Sequence, residues 1–156
     1  MSAVRDMTRF AFGATSAIMT SMALIVGLGS ANLGRSAVIG GLLIIAIADN
    51  LSDTLGIHIY EECKVGGSGA VRTSVSNYLT RLITSCSFVL IALVLPLGVA
   101  RWVGVVWGAV LLSVLTYLIA RSRSVKPVRE VALHLVVASV VVILSQVIGS
   151  LIAKFV

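Results

Sequence analysis

Five apolar runs of about 20 residues, separated by short polar or basic stretches, decide what this chain of 156 residues can become. A run of that length crosses about 30 Å of hydrocarbon as an α-helix, at about 1.5 Å per residue. Strands are excluded as the spanning element, because barrel strands alternate apolar and polar residues over only about ten positions. The pattern predicts an all-α integral membrane protein with five transmembrane helices in a single domain, residues 1–156. Composition agrees: 58% of residues are hydrophobic, 12% are charged, and the mean hydropathy is +1.09. Soluble domains carry about 25% charged residues.

The predicted spans are residues 10–30, 37–60, 82–99, 102–120 and 131–155. Arg5 and Arg9 precede the first run as in a signal peptide, but the run is long and no small-residue cleavage site closes it, so it is read as a retained first helix. The stretch 71–82, with Arg72, Asn77 and Arg81, reads as an amphipathic lead-in to the third span, and residues 61–81 as the longest connection. With the N-terminus inside, the inner segments hold Arg5, Arg9, Lys64, Arg72, Arg81, Arg121, Arg123, Lys126 and Arg129. The outer ones hold Arg35, Arg101 and Lys154. Nine against three predicts N-terminus in and C-terminus out.

The net charge of +6 is therefore assigned to inner loops rather than to nucleic-acid binding, for which no motif is present. Cys63 and Cys86 are read as free thiols. Gly104 and Gly108 form a GxxxG pattern, read as helix packing within one subunit ahead of a dimer seam. No nucleophile-plus-base constellation, phosphate loop or CxxC pattern appears, so an enzyme is not expected.

Chemistry concentrates in the second span, in the run from Ala48 to Glu62. Asp49 falls near the middle of that span, and Asp53 lies about 6 Å further toward the inside. A carboxylate at such depth costs at least about 2.5–3.5 kcal/mol, and membrane carboxylates are functional by default. No Lys or Arg is read on a neighbouring span at this depth. Either protons or a cation from outside the protein must then neutralise the pair. The i, i+4 spacing places Asp49 and Asp53 on one face, with Ser52, Gly56 and Tyr60 close to the same stripe. Asn50 and Ser52 either join a polar path or hydrogen-bond neighbouring helices. His58 with Glu61 and Glu62 forms either a cytoplasmic access site or a solvated helix end. Oxygen ligands with an imidazole suit Mn(II), Fe(II) or Zn(II). In the first helix, Ser16 and Met19 belong to a polar and thioether-bearing stripe that lines a path or simply packs. His134 in the fifth span is read as interfacial.

The run Ile47-Ala48-Asp49-Asn50-Leu51-Ser52-Asp53-Thr54-Leu55-Gly56-Ile57-His58-Ile59-Tyr60 resembles the second-helix pattern of the vacuolar iron transporter family. Phe12-Gly13-Ala14-Thr15-Ser16 is similar to that family's Phe-Gly-x-x-Asp opening, and Gln146-Val147-Ile148-Gly149 to its Tyr-x-Ile-Gly ending. The resemblance implies a homodimer with a metal path between subunits, lined by first and second helices. It also implies proton-coupled export of Fe(II) or Mn(II), with the metal as cargo and no resident cofactor. Ser16 stands where the family has its first-helix Asp, Asp53 where it has a Met, and Ile45 where it has an acid. The Glu-rich cytosolic helices of some members are missing. Two other readings remain open: a non-transporting membrane scaffold of the same fold, and a proton-coupled transporter of another small solute. The partners expected are the lipid bilayer, a divalent metal ion and a second copy of the chain. The location expected is a membrane crossed several times, the cell membrane if the chain is prokaryotic.

Overall fold

In a computed structural model of the protein, residues 2–65 and 67–155 are described, with side chains over 12–64 and 69–155. The side chains of Arg5 and Arg9, which entered the orientation count, lie outside the described residues. Helix α1 covers Ser2–Ser30 and α2 covers Arg35–Ile44. A π-helical turn, Ile45–Asp49, joins α2 to α3, Asn50–Val65. Then come α4, Gly67–Val94, α5, Leu97–Ser122, and α6, Pro127–Phe155. No strand occurs among the described residues.

Five stretches are long and apolar enough to cross a membrane: Phe12–Ser30, Arg35–Lys64, Gly69–Val94, Leu97–Ser122 and Pro127–Phe155. The protein is thus a multi-pass helical bundle with the composition of a bilayer protein. Four of the five predicted spans match these. The third differs: it begins thirteen residues earlier than expected and ends at Val94, not Val99. The expected lead-in of residues 71–82 is the first half of one continuous helix, and the expected 61–81 connection is α3 running almost directly into α4.

The turns follow from local chemistry. Asn32 and Gly34 take positive φ, 55° and 84°, where a side chain other than Asn or Asp is strained, and they reverse the chain between α1 and α2. Pro96 lacks an N–H to continue α4, and its carbonyl accepts from Val99 at 2.9 Å and Ala100 at 2.8 Å to open α5.

Helix α1 is the axis of the bundle, touching α2, α4, α5 and α6. Met22, Ile25 and Val26 of α1 meet Val38 and Leu42 of α2, Phe88 of α4 and Leu112 of α5 in a buried core. Small residues set the close approaches. A Cβ on Gly104 would stand 3.1 Å from Ile25 Cδ1, and one on Gly108 would overlap Met22. One on Gly149 would overlap the Gly27 carbonyl oxygen of α1. The GxxxG of α5 therefore packs within the chain. The opposite surfaces carry Leu51, Leu55, Val106, Val136, Ile143 and Leu144, all exposed, as lipid-facing positions are.

Candidate functional site: an ion triad in the middle of the bundle

Asp49 closes the π turn and Asp53 sits in the first turn of α3, so both project from the same side of the second span. π turns are rare and concentrate at functional sites. Opposite them on α4 stands Arg81. Its Nη2 donates to Asp49 Oδ2 at 3.0 Å, and its Nη1 lies 2.7 Å from Asp53 Oδ2. The second approach is close but bent, an ion pair rather than an aligned hydrogen bond.

This corrects the expectation that no cation on a neighbouring span offsets the acids, and with it the placement of Arg81 in an inner loop. Arg81 lies twelve residues from one end of its span and thirteen from the other. The error has a physical source. An arginine amid polar residues reads as a loop until its partners, 28 and 32 positions earlier, are brought against it. Moving Arg81 out of the inner tally leaves eight basic residues against three.

Two features hold the guanidinium in place. Its side chain is 1% exposed, and Gly13 of α1 presents bare backbone to it. A Cβ on Gly13 would lie 3.3 Å from Arg81 Cγ and would overlap the Asn77 side-chain oxygen. Gly13, part of the Phe12-Gly13 motif, thus gives Asn77 and Arg81 their room beside α1.

The carboxylates are less enclosed. Asp49 and Asp53 side chains are 45% and 42% exposed, on the outer face of the chain that also carries the exposed Ser52, Gly56 and Tyr60. A triad with two carboxylates and one guanidinium keeps one negative charge if all are ionised. Such a charge facing lipid is costly, so this face calls for water or protein cover.

Behind the triad the α3–α4 seam is polar. Asn50 donates through Nδ2 to the Tyr78 carbonyl at 3.0 Å, a hydrogen bond from the second span to α4. His58 Nδ1 meets Ser74 Oγ at 3.3 Å, and its Nε2 lies 4.0 Å from Glu62. Glu61 is buried at 8% exposure, whereas Glu62 is exposed. Asn50 Oδ1, Thr54 Oγ1, both amide atoms of Asn77 and Arg81 Nε are buried with no protein partner among the described residues. Polar atoms left unpaired at such depth are costly, so the seam is a point of low stability between the two helices. Asn77 and Thr54 were not singled out as site residues from the sequence, and their buried, helix-facing positions are what marks them.

The remaining sequence candidates fall elsewhere. Met19 lines a cavity between α1, α5 and α6, away from the acids. The Ser16 carbonyl accepts from Thr20 Oγ1 at 2.9 Å, and among the described residues neither Ser16 nor Ser52 bonds to Asp49 or Asp53. Lys64 Nζ reaches the Tyr60 hydroxyl and lies 4.3 Å from the centre of its ring. Among the described residues no three His, Cys, Asp or Glu side chains come together as a metal-holding group. Both cysteines are free thiols.

Fold and site together define a multi-pass helical membrane protein with a charged triad at mid-span. Comparison with protein-family models, with curated proteins and with solved structures gave no match.

Proposed function

We propose that this chain is a cation transporter whose intramembrane site is the Asp49–Asp53 pair, with Arg81 as a built-in counter-ion that the cargo and protons must displace. The observation that supports it is the asymmetry of the triad: a fully enclosed guanidinium grips two carboxylates that remain nearly half exposed. A structural lock would bury all three charges. An exchangeable site leaves its ligands approachable and supplies a charge that holds them while empty. The buried polar seam toward His58, Glu61 and Glu62 gives protons and cargo a wettable approach from that end.

Fe(II) or Mn(II), moved outward from the cytosol in exchange for protons, is the cargo that the resemblance to vacuolar iron transporters favours. A second copy against the α3 face completes the site in this reading and covers the two carboxylates. The orientation with N-terminus in and C-terminus out accompanies it.

The test is flux into proteoliposomes loaded with a metal-sensitive dye. Wild-type protein takes up Mn(II) or Fe(II) with opposed proton movement, and Asp53→Ala abolishes it. Arg81→Gln removes the competing cation, so half-saturation falls to lower metal concentration. Wild-type flux no greater than in protein-free liposomes sinks the reading. It would favour a non-transporting scaffold, which the contact of Arg81 with both carboxylates supports.

A further inference from the structure

On the side of α1 away from the triad, two adjoining cavities open between α1, α5 and α6. They share Thr15 and His134. The outer one, about 90 Å³, is lined by Thr116, Arg123, Glu130 and His134. The deeper one, about 240 Å³, is lined by Met19, Leu112, Leu133 and Val137. Polarity therefore changes along the helix axes: hydroxyls, imidazole, guanidinium and the Glu130 carboxylate, beside Ile119, Ala120 and Val125, at the end of the bundle, then thioether and aliphatic carbon toward its middle. An amphiphile standing parallel to the helices has that order of groups.

The charge of the outer compartment selects the headgroup. Arg121, Arg123, Lys126 and Arg129 crowd the α5–α6 turn against one acid, Glu130. Arg123 points at the cavity and forms no ion pair among the described residues. His134 donates Nδ1–H to the Glu130 carbonyl at 2.8 Å, which fixes its ring as part of the cavity wall. Thr116 is only 5% exposed, and among the described residues neither its hydroxyl nor that of Thr15 has a hydrogen-bond partner. Basic pockets between membrane helices at such an end recognise anionic headgroups, and guanidinium pairs with phosphate in a fixed fork.

We infer that this cleft binds one anionic phospholipid, its phosphate at Arg123 with the hydroxyls of Thr15 and Thr116, and one acyl chain in the Met19–Val137 compartment. The assignment is independent of what the triad transports.

The test uses the full chain, delipidated in maltoside detergent. Dioleoylphosphatidylglycerol raises the midpoint of thermal unfolding, followed by Trp102 and Trp107 fluorescence, and dioleoylphosphatidylcholine does so much less. Native mass spectrometry retains one phosphatidylglycerol after collisional activation has stripped the rest. Arg123→Gln weakens that binding about tenfold, the worth of one charge-assisted hydrogen bond, while Arg121→Gln leaves it intact. Val137→Phe fills the deeper compartment and removes the bound lipid. Equal response to the two lipids, or equal weakening by Arg121→Gln and Arg123→Gln, overturns the site in favour of diffuse charge. Inorganic phosphate reproducing the whole stabilisation overturns it too, because the acyl chain would then play no part. Arg123 lies on an exposed turn, so its variant reports even if Val137→Phe fails to fold.

Discussion

The two sides of α1 are held together in opposite ways. Toward α5 and α6 the contacts are mainly close backbone approaches: Gly104 and Gly108 receive Ile25 and Met22, and Gly149 lies on the Gly27 carbonyl, with Ser30 at the helix end donating to Gln146 at 2.7 Å and accepting from Arg101 at 3.1 Å. Between the second span and α4, and where Gly13 of α1 faces Asn77 and Arg81, the contacts are polar: the triad, the Asn50–Tyr78 bond and the His58–Ser74 pair. In lipid there is little hydrophobic drive between helices, so association must come from close backbone approach or from hydrogen bonds and charge. This molecule weights the two solutions differently on its two sides. The closely packed side makes a frame. The polar side holds the ionisable groups of the triad.

The sharpest way to break that contrast is to remove the charge. Replacing both Asp49 and Asp53 by Asn strands Arg81 in an enclosed site, and losing the partners of a buried charge costs about 3–5 kcal/mol. We expect a large fall in thermal midpoint and loss of a monodisperse species in detergent, partly restored by adding Arg81→Met. A double variant as stable as wild type would show that charge does not hold the polar side. Next in size is Gly149→Ala on the closely packed side. Its Cβ has nowhere to go but into the Gly27 backbone, and overpacking of this kind costs about 1–3 kcal/mol. A neutral result in the same melting experiment would deny the close approach. The smallest effect is expected at Gly56, on the exposed acid-bearing face. A Cβ there meets nothing within 4 Å in one chain, so Gly56→Ala should change stability by no more than about 1 kcal/mol, in the favourable direction. A clear loss at Gly56 instead would reveal a second copy seated on that face.

The frame was legible because apolar length is a one-dimensional signal. Five spans, the packing role of Gly104 and Gly108, and the shared face of Asp49 and Asp53 all follow from run length or from i, i+4 spacing. Arg81 was not legible in that way. Arg72, Asn77 and Arg81 interrupt the hydropathy of α4 enough to look like a loop, and only contact with residues 28 and 32 positions back turns Arg81 into a membrane residue. The π turn left no mark either, since Ile45-Ala46-Ile47-Ala48 is ordinary helix-compatible sequence. Met19 was assigned to a path from its position on α1, but helical spacing alone did not say which neighbour it faces.

Arg81 also bears on how the chain enters a membrane during synthesis. Helix α4 alone carries an arginine at the centre of its span, and the second span alone carries two carboxylates at its own. Each penalises solitary insertion by about 2.5–3.5 kcal/mol per charge. Inserted together as a hairpin, with α3 running almost directly into α4, the three charges meet before either helix faces bare lipid. Pairing before exposure to lipid lowers that cost, which favours entry of the second and third spans into the bilayer as one unit.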